Sequence, residues 1–502
     1  MKRHAKAYER LEGAFRRHAL IDEAIGVLHW DMSVVMPPGG ARARAEQVAD
    51  LSVLSHDMLT GPRMAGDLDG AEAETAALDR WQAANLREMR RIWQHANAIP
   101  ADLVAARSRA ASECETVWRT ARPESDFRAL RPGLEEVVRL TREVGEAKSA
   151  ALGRPVYDAL MDEYEPGADA DRIGAVLEDY AASLPEILDA VLAKQAREPA
   201  PVPPDGPFPV AAQKRLCRSM AETVGLDFES ARLDESLHPF SGGIPDDSRI
   251  TTRYSEADYA EALMGVLHES GHAMYERGLP REWRRQPVGR ARGMTLHESQ
   301  SLLIEMQVCR SRAFLDWAAP VIAGAFGASG PAWAPGNLYR RAILVRPGFI
   351  RVDADEVTYP AHIVLRTRLE RALIAGDLAV ADLPGAWNDG MAALLGITPP
   401  EDRLGCLQDI HWPGGDFGYF PTYTLGAMAA AQLAAAARVA DPEIMAGIGR
   451  GDFAPLMAWL GENVHGRGSL LSTDDLLREA TGRPLDAAAF KAHLKDRYLD
   501  AA

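Results

Sequence analysis

Over nearly all of the first 198 positions the apolar residues recur at three- and four-residue steps, as in 71–96, 133–152 and 171–196. That spacing lines one face of a 3.6-residue helix, so the chain must fold mainly by packing helices on helices. Breaks fall at Met36-Pro-Pro-Gly-Gly and at Arg122-Pro. A Pro-rich stretch at 199–209 then removes one backbone donor after another, which forbids a helix and favours an extended connector. Beyond it, 232–244 and 248–254 are the strand candidates, the second because of Ile250-Thr-Thr-Arg-Tyr254. Helical patterns then resume to the end, without an internal repeat. The expected architecture is mainly α with a small β element. Its regions are 1–198, the connector at 199–209, and 210–502, within one integrated body.

Composition narrows the partners. The chain has 502 residues and a formal net charge of −16. An acidic surface repels phosphate backbones and anionic bilayers at long range, so neither nucleic acid nor membrane is an expected partner. The opening residues carry charge but no apolar core of the signal-peptide kind, and no run reaches the roughly 18 apolar residues of a membrane span. A cytoplasmic location is expected. Cysteines 114, 217, 309 and 406 are too dispersed to form a staple framework and read as buried, reduced thiols.

The chemistry concentrates in one helical run, entered at Ser255-Glu-Ala-Asp258 with Ser255 as the expected N-cap and closed by Gly278-Leu-Pro280. Within it stands His268-Glu269-Ser270-Gly271-His272. Histidines four apart share a helix face and can reach one cation, with Glu269 beside the open coordination position. The plain alternative is a helix that merely exposes two histidines. Ser270 and Gly271 argue for the site, because small residues that form helices poorly allow close approach there.

A catalytic metal needs a third protein ligand, and Glu298 in Met294-Thr-Leu-His-Glu-Ser-Gln-Ser301 is the candidate. The separation from His272 lets one helix end, turn and present a second helix against it. A local rival exists, since Thr295-x-x-Glu298 has the form of a capping box. His297 would point to another face, in an outer or structural role. Between the two runs, Arg281, Arg284, Arg285, Arg290 and Arg292 form either a solvated loop or a funnel for substrate carboxylates.

Further clusters are His238-Pro-Phe240, Asp247-Ser-Arg249-Ile-Thr251, Ile350-Arg-Val-Asp-Ala-Asp355 and Gly405-Cys-Leu-Gln-Asp-Ile-His-Trp412. In this order around the H-E-x-x-H, they resemble the Taq-type thermostable metallocarboxypeptidases, whose pattern includes H-P-F, D-x-R-x-T, H-E-S-x-H, H-E-S-Q, I-R-x-x-A-D and G-x-x-Q-D-x-H-W. All six are present. After Ser301 the chain departs from that pattern, because Leu302, Leu303, Ile304 and Met306 replace a more polar continuation. The resemblance implies a helical, cleft-containing fold similar to neurolysin-like and angiotensin-converting-type peptidases, with residues 1–198 as one wall. It also implies a homodimer that removes C-terminal residues from peptides with broad specificity.

The residues then suggest roles. His268, His272 and Glu298 would hold one divalent metal per chain, Zn²⁺ first and Co²⁺ as an option. Glu269 would be the general base. His411 and Tyr423, with Tyr419 as understudy, are candidate donors to the developing oxyanion, against the alternative that the tyrosines only pack the wall. Arg351, then Arg249, would clamp the free carboxylate of a peptide, unless Arg351 merely pairs with Asp353 or Asp355. Two other functions stay open: a zinc endopeptidase using the same site, and a non-catalytic helical binding protein with a vestigial metal.

Overall fold

The computed structural model describes residues 6–500 and is built mainly of helices. The N-terminal part runs through Lys6–Val34, Ala41–Thr60, Pro62–Ala73, Arg80–Ala98, Ala101–Glu124, Phe127–Leu152, Val156–Met161 and Ala170–Gln195. The expected helix over 71–96 is two helices. Asp79 and Gln82 close a reciprocal capping box, Gln82 N–H to Asp79 Oδ1 at 2.9 Å and Asp79 N–H to Gln82 Oε1 at 3.0 Å. A box of this kind satisfies the first free amides of a new helix, so the chain restarts at Arg80 after the helix that ends at Ala73. The breaks at residues 36–40 and at Pro123 fall where helices end. The stretch 199–209 holds no helix or strand, and Val210–Val224 begins directly after Pro209.

Three strands form where two were expected: β1 (Ala231–Glu235), β2 (Ser241–Ile244) and β3 (Asp247–Thr252). The first stretch splits because the chain must turn through His238-Pro-Phe240, where Thr251 Oγ1 accepts from the Phe240 amide at 2.9 Å and from Ser236 Oγ at 2.7 Å. β3 is central, parallel to β1 and antiparallel to β2, and Arg249 faces Arg232 on one side and Gly242 on the other. Its Ser248, Ile250, Thr251 and Thr252 are buried, and Thr252 Oγ1 donates to the Ala262 carbonyl of the helix Ala260–Gly278. The sheet thus backs the helix that carries the histidines.

One continuous apolar core runs from Cys114 to Tyr498. A smaller one, with Tyr8, Leu11, Phe15, Leu68 and Met89, knits the first helices together. Polar ties join that group to the loop between the two site helices. Arg285 bonds Glu23 at 3.0 Å, Arg290 bonds Asp22 at 3.2 Å, and buried Arg292 bonds buried Glu88 at 2.7 Å. Four of the five arginines in the basic run are therefore paired with carboxylates. Three of them anchor the N-terminal helices and Arg284 pairs with Asp246, while Arg281 is exposed and has no ion pair among the described residues. All four cysteines are free and buried. Among the described residues no helix is long and apolar enough to cross a membrane.

Candidate active site

The helix Ala260–Gly278 starts later than Ser255. Ser255 Oγ instead accepts from the Ala257 amide at 3.2 Å, and Asp258 Oδ1 takes the Ala260 amide at 2.7 Å, so the segment 255–258 turns before the helix begins. The helix ends at Gly278, with Pro280 beyond it. His268 and His272 project from one face. Their Nε2 atoms lie 3.9 and 3.5 Å from the Glu298 carboxylate on the helix Met294–Leu302. One ligand atom from each residue falls within 4.8 Å of the others. Gly271 makes the crossing possible, because a Cβ there would stand 2.5 Å from the Gln300 carbonyl oxygen and 2.6 Å from Ser301 Cα. The capping-box alternative for Glu298 does not form: the Thr295 amide is taken by buried Glu165 at 3.1 Å.

Outer partners fix both rings. His268 Nδ1 meets Glu305 at 2.9 Å, and Glu305 is held in turn by Arg310 at 2.7 Å. His272 Nδ1 meets His297 Nδ1 at 2.7 Å, and His297 Nε2 reaches Glu276 at 3.0 Å. With both Nδ1 atoms engaged, both Nε2 atoms face Glu298, so two nitrogen donors and one oxygen donor converge as a divalent cation requires. Glu305 sits in a wide π-helical turn, Leu303–Cys309, whose Leu303 and Ile304 pack into the core. Turns of that kind recur at functional sites.

Burial dominates the electrostatics. Glu269 is 6% exposed, and burial pushes its carboxyl up to about 7, with His268 pulling down and Glu298 pushing up. Burial opposes the charged form of His268, yet the Glu298 and Glu305 carboxylates outweigh it and carry its pKa up to about 10. Burial likewise opposes charge on Glu305, but Arg310 and His268 hold it down to about 2. His272 is driven well below the usual imidazole value by burial and by His297 and His268.

A second wall comes from elsewhere in the chain. Arg351, 7% exposed, bonds Asp409 through Nε at 3.1 Å and Nη2 at 2.8 Å, and Tyr359 Oη through Nη1 at 3.0 Å. Asp409 also takes two bonds from fully buried Arg366, at 2.8 and 2.5 Å. Asp353 and Asp355 are not its partners. Asp355 caps the Val357 and Thr358 amides at 3.0 Å each. The Arg351 guanidinium lies 5.0 Å from the Tyr423 ring, and Tyr423 Oη is 3.4 Å from His411 Nε2. Tyr419 packs edge-on against Tyr423 with ring centres 5.2 Å apart. Burial and then the Glu298 charge push the Tyr419 hydroxyl up to about 12. Burial holds His411 down at about 4, so its ring is neutral near pH 7. Arg249 lies apart from these contacts: it pairs with Asp247 at 2.5 Å and stacks over Trp30 at 4.6 Å.

Sequence reasoning missed Glu305, Tyr359, Arg366 and Asp409. Glu305 stands seven residues after Glu298, two helical turns on, which was a usable signal. The others pair across distances that periodicity does not address.

A helical body with this donor set and a buried acid beside it has the equipment of a metal-dependent peptidase. Comparison narrows the class. The family model described as Carboxypeptidase Taq (M32) metallopeptidase matches residues 10–498. Thermostable carboxypeptidase 1 of Thermus thermophilus is 37% identical, over 98% of each chain, and carboxypeptidase 1 of Bacillus subtilis is 33% identical, over 96% of each. Among solved structures, Trypanosoma cruzi metallocarboxypeptidase 1 superposes with a TM-score of 0.96 at 40% identity, covering 99% of this chain and 100% of the other. The M32 carboxypeptidase of Deinococcus radiodurans gives 0.92 at 33%, covering 98% and 99%. The chain belongs to the Taq-type metallocarboxypeptidase family. It is a hydrolase of the carboxypeptidase class, and a divalent metal and peptide substrates come with that membership.

Proposed function

We propose that His268, His272 and Glu298 hold one divalent metal per chain, zinc before cobalt, and that the chain uses it to remove C-terminal residues from peptides. The observation carrying this is the convergence of the three donors within 4.8 Å, with buried Glu269 on the next helical position. A bound cation supplies Lewis acidity and lowers the pKa of a water toward ~7. Glu269, buried beside the donor set, takes a proton from the attacking water and returns it to the leaving amine. Tyr423 and neutral His411 donate hydrogen bonds to the scissile carbonyl oxygen as it gains charge, with Tyr419 next in line. Arg351 orients the substrate's free carboxylate, its guanidinium already aimed by Asp409 and Tyr359. Arg249 is the weaker choice, since Asp247 and Trp30 occupy it.

We further read the enzyme as a cytoplasmic homodimer of broad specificity, with the helices of 1–198 as one wall of the cleft. Four buried, unpaired thiols suit a reducing compartment. The test is a peptide offered with a free and with an amidated C-terminus. The free form should yield a ladder shortened from the C-terminus, by mass spectrometry, and the amidated form should resist. Equal cleavage of both, or internal cuts, would make the chain an endopeptidase.

A further inference from the structure

Glu370, on the helix Tyr359–Ala375, is 0% exposed and has no place in the chemistry above. Its carboxylate accepts three hydrogen bonds: from Trp412 Nε1 at 2.8 Å on Oε1, and from Tyr157 Oη at 2.6 Å and the Gly418 amide at 3.0 Å on Oε2. Trp412 follows His411, and Gly418 precedes Tyr419. One buried group therefore holds both ends of the segment that carries two of the proposed donors. That segment has little regular structure of its own beyond the single turn His411–Gly414. It is seated instead on the helix Val156–Met161: Gly418 adopts φ +89°, and a Cβ there would stand 3.0 Å from the Met161 amide nitrogen. The helix Pro421–Ala440 then starts at once and places Tyr423 in its first turn.

Burying a carboxylate is unfavourable, and an apolar side chain would fill the same volume without that cost. Burial lifts the Glu370 pKa to about 7, while its three donors favour the ionised form. What the carboxylate adds over an apolar filler is direction, since it can accept from three elements at fixed angles. We propose that Glu370 is a positioning residue that clamps the 411–419 segment, so that His411, Tyr419 and, through the next turn, Tyr423 face the His268, His272 and Glu298 cluster. Donors to a developing charge act only where their placement is held to fractions of an ångström, which an irregular segment does not secure alone.

This inference rests on the proposed roles of His411 and Tyr423. The test is a double-mutant cycle on the metal-loaded enzyme, with kcat, KM and metal content measured together. Glu370→Gln keeps the volume but cannot accept all three bonds. It should lower kcat about 10–100-fold, as lost outer-shell partners do, with KM and metal content nearly unchanged. Tyr423→Phe should lower kcat further. In the double variant Glu370→Gln should add less than about threefold to the Tyr423→Phe loss, because both act through one placement. A wild-type kcat for Glu370→Gln, or losses that multiply in full, overturns the clamp. Wild-type kcat in both Tyr423→Phe and His411→Gln instead overturns the donor roles on which it rests. Should Glu370→Gln fail to fold, Trp412→Phe removes one of the three donors alone, and the same kcat-against-KM split is required of it.

Discussion

The histidine side of the site comes from two crossing helices joined by one loop, whereas the facing side draws Arg351, Tyr359, Arg366, Asp409, His411 and Tyr423 from four separate segments. On the first side, each histidine is placed by local helix geometry and steadied by a partner of its own, Glu305 for His268 and His297 for His272. On the second, one carboxylate, Asp409, is shared by two guanidinium groups, and aromatic rings pack around them. The contrast predicts different failures. Substitutions among the helix-borne groups should subtract single chemical steps, and those in the shared network should disturb recognition and stability together.

The largest effect is expected at Glu269. Glu269→Gln should keep its metal and lower kcat by ~10²–10⁴, the range of a lost general base. Near-normal turnover at full metal occupancy, by elemental analysis and steady-state kinetics, would break the one-group-one-step account of this side.

Next comes Glu88, which ties the N-terminal helices to the loop between the two site helices. Burial opposes its charge, but Arg292, Arg91 and Arg87 outweigh it and hold the carboxyl below its usual range. A depressed pKa contributes stability that is present above the unfolded value of ~4.3 and is lost as pH falls through the folded value. Melting temperature should therefore drop on acidification below about pH 4.5, and Glu88→Gln should flatten part of that limb. Glu88→Ala leaves buried Arg292 unpaired and should cost about 3–5 kcal/mol by denaturant titration. A loss under about 1 kcal/mol would show the tie to be slack, like an exposed surface pair.

On the network side, Arg351→Ala should raise KM, lower kcat/KM about ten- to a hundred-fold and narrow the preference for free over amidated peptides, while also lowering the melting temperature because Asp409 loses one of its two guanidinium partners. A melting shift with an unchanged preference would leave Arg351 purely structural. The narrowest effect is expected from Glu305→Gln, which should weaken metal binding about 10–100-fold, by competition with a chelator, and leave substrate KM and the melting temperature of the metal-loaded enzyme nearly alone.

The same contrast decides how much could be seen in the sequence. His268 and His272 could be set on one face from helical spacing, and the structure brings Glu298 of the next helix against them. The mainly α body was legible too. Ser255 misled because Ser255 and Asp258 both offer cap chemistry, and the turn they make delays the helix to Ala260. Glu305 was within reach by spacing, although the π turn at Leu303–Cys309 shifts the helical wheel. Arg351 stood out in the sequence as a candidate, and its partner did not. Asp353 and Asp355 are near in sequence, yet Asp355 spends its oxygens on backbone amides, and Asp409, 58 positions away, fills the role. The burial of Arg292 on Glu88 was equally out of reach, since a run of arginines in a loop reads equally as a solvated surface or as a carboxylate funnel, and neither names a buried partner.

Metal content of Glu298→Ala tests the central claim most directly, because that claim joins the two crossing helices in one site. After exposure to zinc and desalting, the variant should hold well under one metal per chain where the unsubstituted enzyme holds one, since two imidazoles leave the donor set incomplete. A stoichiometry that stays at one metal per chain would contradict the account and put the third ligand elsewhere.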